Sequence, residues 1–203
     1  MRYPPYPMNY LAHFHLADRV DSDLTGNYLG DFVRGRDLDD WPAAVESGIR
    51  LHRRIDAFTD RHPAVQQAVR LLSPDRRRVA GIVVDVAFDH FLSRHWQRFD
   101  DRLLPEFTRQ VYCSLAARAS LMPESARRRF EGMRRDDWLV SYRELAVISQ
   151  VLDAIAARMS RRTALYGAGE EVIRHYAELE GCFLDFYPQL LEWVRQDAVG
   201  REA

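Results

Sequence analysis

Residues 80–92 read AGIVVDVAFDHFL, and this stretch decides the fold class. Ala80, Val83, Val84, Ala87, Phe88 and Phe91 recur at three- and four-residue intervals, the spacing of one helical face. Ile82 and Val86 lie round the back beside Asp85 and Asp89, and Leu92 closes the other flank. Residues 82–84 and 86 favour strands, but the apolar spacing predicts a helix. A helix apolar on so many sides is enclosed by its neighbours. Asp85, Asp89 and His90 are therefore out of place unless something partners them. A lone buried carboxylate is costly or takes up a proton. Asp85 and Asp89 stack four residues apart, so they repel without a cation between them. That cation is an arginine or a metal ion, and His90 adds an imidazole beside it.

The same period extends outward in both directions. It predicts helices from Met8 to Ala17, from an N-cap at Ser22 or Asp23 to Val33, over 43–59, from Pro63 onward and over 74–99. Further helices are predicted over 105–120, 123–135, 138–158 and 169–196. No segment reads as a strand ladder, so the expected fold is all-α, a single-domain irregular helical bundle. A chain of 203 residues suits one domain. MRYPPYP, residues 1–7, is expected as an extended arm ahead of a helical domain over 8–203. Gly26 and Gly30, four apart, let one face of the second helix approach a neighbour closely.

Composition excludes several classes. The net charge of −1 gives no global field for nucleic acid. All 29 basic residues are arginine, so any phosphate contact falls to arginine, histidine or backbone N–H. No apolar run of about 18 residues exists, so no membrane-spanning helix is expected. Cys113 and Cys182 form no CxxC and read as reduced thiols of a cytoplasmic protein. No GxSxG, Walker loop or strand-linked GxGxxG occurs.

The third helix carries GIRLHRRIDAFTD. His52 and Asp56 are four apart on one face, with Arg53 close by. Alone, such a pair is an ordinary surface hydrogen bond. A second acid–imidazole set on another helix favours convergence, because bundles build metal sites from facing helices. Asp31, in GNYLGDF, sits at a helix C-terminal end, where the dipole disfavours an acid, so it needs a partner. Together Asp31, His52, Asp56, Asp85, Asp89 and His90 offer oxygen and nitrogen without thiolate. Such a set suits Mn²⁺, Fe²⁺ or Mg²⁺, and less specifically Zn²⁺. His13 and His15, two apart, point to opposite sides of a helix and cannot share one site; His13 is either turned into the site or, as the more ordinary reading, a core or capping histidine. Arginine clusters at 76–78, 127–129, 134–135 and 161–162 are solvated faces or a local surface for an acidic partner.

MNYLAHFHLA at 8–17, GNYLGDFVRG at 26–35, GIRLHRRIDAFTDRHP at 48–63 and VVDVAFDHFLSRHW at 83–96 occur in order. With WLVSYRE at 138–144 and FYP at 186–188, they resemble the acyl carrier protein phosphodiesterase family. The resemblance implies an all-α, HD-like fold related to the HD phosphohydrolases. It also implies hydrolysis of holo-acyl carrier protein to release 4′-phosphopantetheine, with a divalent metal, typically Mn²⁺. An HD dipeptide is absent here; Asp89-His90 has the reverse order. On this reading Asp31, His52, Asp89 and His90 are the expected metal ligands. Asp85 and Asp56 are expected to bind a second ion, orient a ligand or act as base, and Arg53 to clamp the phosphate. The expected partner is the acidic carrier protein, with no nucleic acid and no membrane. Two other readings stay open on the residues alone. One is a metal phosphohydrolase acting on a nucleotide or other small phosphate. The other is a non-catalytic helical binding protein with every acid paired to arginine.

Overall fold

The computed structural model describes residues 10–159 and 163–202. The expected arm over 1–7 and the predicted helix start at Met8 lie outside them. The helices are α1 (Tyr10–Asp18), α2 (Leu24–Leu29), α3 (Ala43–Thr59), α4 (Pro63–Leu71), α5 (Ala80–Arg94) and α6 (Leu104–Ala117). They continue with α7 (Glu124–Arg135), α8 (Trp138–Ser141), α9 (Leu145–Arg158), α10 (Gly169–Arg174) and α11 (Tyr176–Glu202). Among the described residues there is no strand, so the all-α class is observed. No helix is long and apolar enough to cross a membrane.

The decisive stretch is α5, and it lies at the centre. Val83, Val84, Val86, Ala87, Phe91 and Leu92 are buried, and α1, α4, α9, α10 and α11 pack around it. The predicted helix over 74–99 is shorter than expected. A 3-10 turn at Pro74–Arg76 precedes α5, Val79 breaks the helical backbone between them, and a second 3-10 turn follows at Trp96–Arg98.

Asp89 and His90 explain much of the rest. Both are fully buried. The Asp89 carboxyl accepts the backbone N–H groups of Leu11 and Ala12, each at 2.9 Å. These belong to the first turn of α1, where the helix itself supplies no acceptor. Burial pushes the Asp89 carboxyl well above the usual range, even against these two N–H groups. His90 Nδ1 meets the Tyr142 carbonyl at 2.8 Å, and Nε2 meets the Tyr176 hydroxyl at 2.9 Å. Burial and the Tyr142 carbonyl leave its pKa lowered on balance, so the ring is neutral.

His90 also lies against the places where two predicted helices divide. The segment predicted over 138–158 breaks between α8 and α9, where the Tyr142 carbonyl turns to His90. The segment predicted over 169–196 breaks at His175, next to Tyr176. Local apolar spacing carries no trace of either contact.

The α2–α3 contact depends on glycine. A Cβ at Gly26 would stand 2.2 Å from the Val45 carbonyl oxygen, and one at Gly48 would stand 2.6 Å from that of Asp23. Neither backbone can yield by that much, so both positions need hydrogen there. Asp23 caps α2 by accepting the Gly26 N–H at 2.7 Å. α3 spans Ala43–Thr59, as its spacing predicts.

Replacing Asp89 by alanine strands two buried N–H groups. The expected cost is roughly 2–4 kcal/mol of stability, read as a fall in the denaturant midpoint at unchanged slope.

Candidate metal centre

The site is built from α1, the turn after α2, and α3. Gly30 follows α2 and faces α3; a Cβ there would lie 2.3 Å from His52 Cγ. Only a glycine leaves room for the His52 ring. Asp31 sits next in the turn, which is fixed from α3: Arg53 donates to the Gly35 carbonyl at 2.7 Å and to the Val33 carbonyl at 2.8 Å. Asp31 thus meets its partner, His52 Nε2, at 3.1 Å from Oδ1.

Asp56, one turn along α3, places Oδ2 3.3 Å from the same His52 Nε2. Its other oxygen, Oδ1, lies 3.1 Å from His13 Nε2 on α1. The rings of His13 and His52 stack at 4.0 Å. His13, His52 and Asp56 hold one donor atom each within 4.8 Å of one another. Among the described residues no other group of acids, histidines or cysteines converges in this way. Asp31, His13 and His52 are almost wholly enclosed, whereas the Asp56 side chain is 48% exposed and forms the open side.

The electrostatics are polarised. Burial works against a charge on His52, but Asp31 and Asp56 outweigh it and raise the ring's pKa to about 10. Burial and the neighbouring His52 together lower the pKa of His13, so that ring is neutral. Burial works to raise Asp56, yet His52 and His13 hold it well below the usual carboxylate range. Burial, with Asp56, Asp60 and Asp31 behind it, raises Asp85 to about 8.

Among the described residues, the buried side-chain polar atoms without a hydrogen-bond partner all belong to α1, α2 with the turn after it, and α3. They are both ring nitrogens of His13, His52 Nδ1, Asp31 Oδ2, the Tyr10 hydroxyl and both amide atoms of Asn27. His13 Nε2 is close to Asp56 but off the line of a hydrogen bond. Folded proteins partner nearly all such groups, so a cluster of exceptions marks a place for a ligand or ordered water. The spacing fits an ion as well. Two ligand atoms about 2.1 Å from an octahedral cation and at right angles lie about 3 Å apart. The donor set, two carboxylates and two imidazoles without sulfur, suits a hard or borderline divalent metal.

The structure thus brings together Asp31, His52 and Asp56 of the expected residues. It does not bring Asp89 and His90 to them: the α1 backbone holds both carboxyl oxygens of Asp89, and Tyr142 and Tyr176 hold the nitrogens of His90. Arg53 is spent on the backbone of the Asp31 turn rather than held ready as a phosphate clamp. Asp85 lines a cavity of about 20 Å³ with His13, Thr59 and Tyr187. The ligand candidate left out of the expected set is His13. Its signal was the HFH triplet itself, since two histidines two apart must face different ways. His15 indeed turns to the other side, 2.7 Å from the Tyr187 hydroxyl.

Fold and site together define a helical protein with a largely buried carboxylate–imidazole cluster whose donor atoms are spaced as ligands of one ion would be. A family model described as "Acyl carrier protein phosphodiesterase" matches residues 8–190, and the chain belongs to that family. A protein of that name from Serratia proteamaculans is 42% identical over 93% of this chain and 98% of its own. One from Enterobacter sp. is 43% identical, over 91% of this chain and 96% of its own. One from Escherichia coli O6:H1 is 40% identical, over 95% of this chain and all of its own. No solved structure matches significantly.

Two outcomes test the geometry. Gly30→Ala pushes the His52 ring aside and is expected to weaken Mn²⁺ binding by at least about tenfold, with the far-ultraviolet circular dichroism unchanged. A metal must also displace the His52 proton, which the metal-free protein holds up to about pH 10. Mn²⁺ affinity is therefore expected to rise about tenfold per pH unit from pH 6 to 8, releasing one proton per ion. Asp31→Asn, which removes one cause of that pKa, is expected to flatten the slope.

Proposed function

We propose that the protein is a metal-dependent phosphodiesterase acting on acyl carrier protein. It hydrolyses the phosphodiester that joins a carrier serine to 4′-phosphopantetheine, giving the apo carrier. The observation that supports this reading is the convergence of His13, Asp31, His52 and Asp56 within motifs at 8–17, 26–35 and 48–63, inside the family match.

Asp31, Asp56, His13 and His52 would hold a divalent ion, with Mn²⁺ favoured and Mg²⁺ or Fe²⁺ compatible with the same donors. When bound, such an ion neutralises phosphate charge and lowers the pKa of water. The chain's own residues do the rest. Asp56 stands on the open side, so the phosphodiester enters past it. Arg53 positions Asp31 by holding the two carbonyls of its turn. The cavity shared by Asp85 and His13 has room for about one water. Through that water the protonated Asp85 orients the His13 ring.

The partner is an acidic carrier protein in the cytoplasm. Of the arginine-rich segments, 127–129 and 134–135 lie on α7, beside α2 and the site: the Tyr28 hydroxyl donates to the Ala126 carbonyl at 2.8 Å. The Arg76 side chain is engaged with the carbonyls of Ala164, Tyr166 and Gly167. The cluster at 161–162 lies outside the described residues. α7 is therefore the favoured face for docking.

Release of 4′-phosphopantetheine from holo-acyl carrier protein, followed by mass spectrometry, tests the reading. His52→Ala and Asp56→Ala are expected to lower kcat/KM by about a thousandfold or more. Thorough chelation is expected to abolish turnover, and Mn²⁺ to restore it. Full activity after chelation would sink the metal mechanism. Asp89→Asn is expected to keep wild-type metal stoichiometry below its own melting temperature.

A further inference from the structure

We propose that Tyr10 and Arg129 form an anion-holding wall beside this centre and take the non-bridging oxygens of the substrate phosphate. The inference deepens the phosphodiesterase reading and rests on it.

Tyr10 opens α1, one turn before His13, so the two side chains project from neighbouring positions of one face. Its hydroxyl is buried with no acceptor for its O–H, and Arg129 stands near enough to donate to its oxygen. Arg129 reaches in from α7, partly buried, with its guanidinium 5.6 Å over the ring of Phe32. Phe32 directly follows Asp31. Burial dominates the Tyr10 phenol, and after it the opposed charges of Asp31 and Arg129 act on the same hydroxyl. Tyr10, Arg129 and the turn that carries Asp31 thus meet at one point beside the centre.

The chemistry on the two sides of that point differs. Asp31 and Asp56 present only lone pairs, which attract cations and repel phosphate oxygens. Arg129 presents only N–H donors, in a planar fork that matches a phosphate edge, and Tyr10 adds an O–H donor. A phosphodiester needs both sides, one to hold the cation and one to hold its own anionic oxygens. In a chain without lysine, an arginine is the expected cation for the second task. The competing account is that Arg129 merely balances the charge of Asp31. That account predicts an effect on metal affinity and none on anion affinity.

Calorimetric titration of inorganic phosphate into the Mn²⁺-loaded protein separates the two, with Mn²⁺ affinity measured on the same samples. Tyr10→Phe is expected to weaken phosphate binding about tenfold and Arg129→Met about a hundredfold, at unchanged Mn²⁺ affinity. Arg129→Lys, which keeps the charge over Phe32 but loses the fork, is expected between them and guards against a folding defect. Unchanged phosphate affinity in Tyr10→Phe and Arg129→Lys overturns the proposal. So does a parallel fall in Mn²⁺ affinity, or a wild type that binds no phosphate. A wild type that leaves holo-acyl carrier protein intact, yet shows the expected phosphate pattern, retires the substrate reading and supports the wall.

Discussion

The structure depends on a carboxyl group placed where a helix begins. Asp89, at the centre of the bundle, accepts the first free N–H groups of α1. Helix starts carry partial positive charge and unpaired donors, so a buried acid there finds partners ready-made. This contact anchors α1 at Leu11 and Ala12, and so holds the direction in which its side chains face. His13 then stacks on His52, and His15 turns to Tyr187 on the other side. The adjacent His90 performs the same service for the later helices, through Tyr142 and Tyr176. One dipeptide of α5 thus orders both the front and the back of the bundle.

The fold class was legible because apolar spacing is a local property. α3 appears with its predicted ends because Pro42 and the Thr59–Asp60 turn bound it in sequence. The division of residues 138–158 and 169–196 was not legible, because a histidine far away in the chain decides it. The site followed the same division. His52 and Asp56 share a face on one helix, and Asp31 stands at a helix end that disfavours it, so local rules find all three. Asp89 and His90 show in sequence only that buried polar groups need partners. Metal, arginine and backbone N–H all meet that need, and the sequence does not distinguish them. For Asp89 the backbone does so, with the N–H groups of Leu11 and Ala12; for His90, a carbonyl and a tyrosine hydroxyl do.

The unpartnered polar atoms are the clearest sign of function in the fold. Elsewhere buried polar groups are satisfied closely: Glu171 takes the Ser73 N–H and hydroxyl, and Asp100 takes Arg102. Around His13, Asp31 and His52 the chain leaves bonds unmade. Leaving them so costs stability. A ligand that completes them recovers that energy as binding, and the glycine at position 30 leaves room for the His52 ring that faces it.

The cap on α1 also sets a schedule for synthesis. Leu11 and Asp89 are 78 residues apart in the chain, so α1 emerges from the ribosome long before its acceptor does. Until α5 has followed, α1 has only its packing on α2 and α3 to hold it, and the N–H groups of Leu11 and Ala12 lack their buried acceptor. All four candidate ligands lie before residue 60, yet the carboxyl that holds the helix carrying His13 comes at residue 89. The stacking of His13 on His52 is therefore completed together with the core rather than ahead of it.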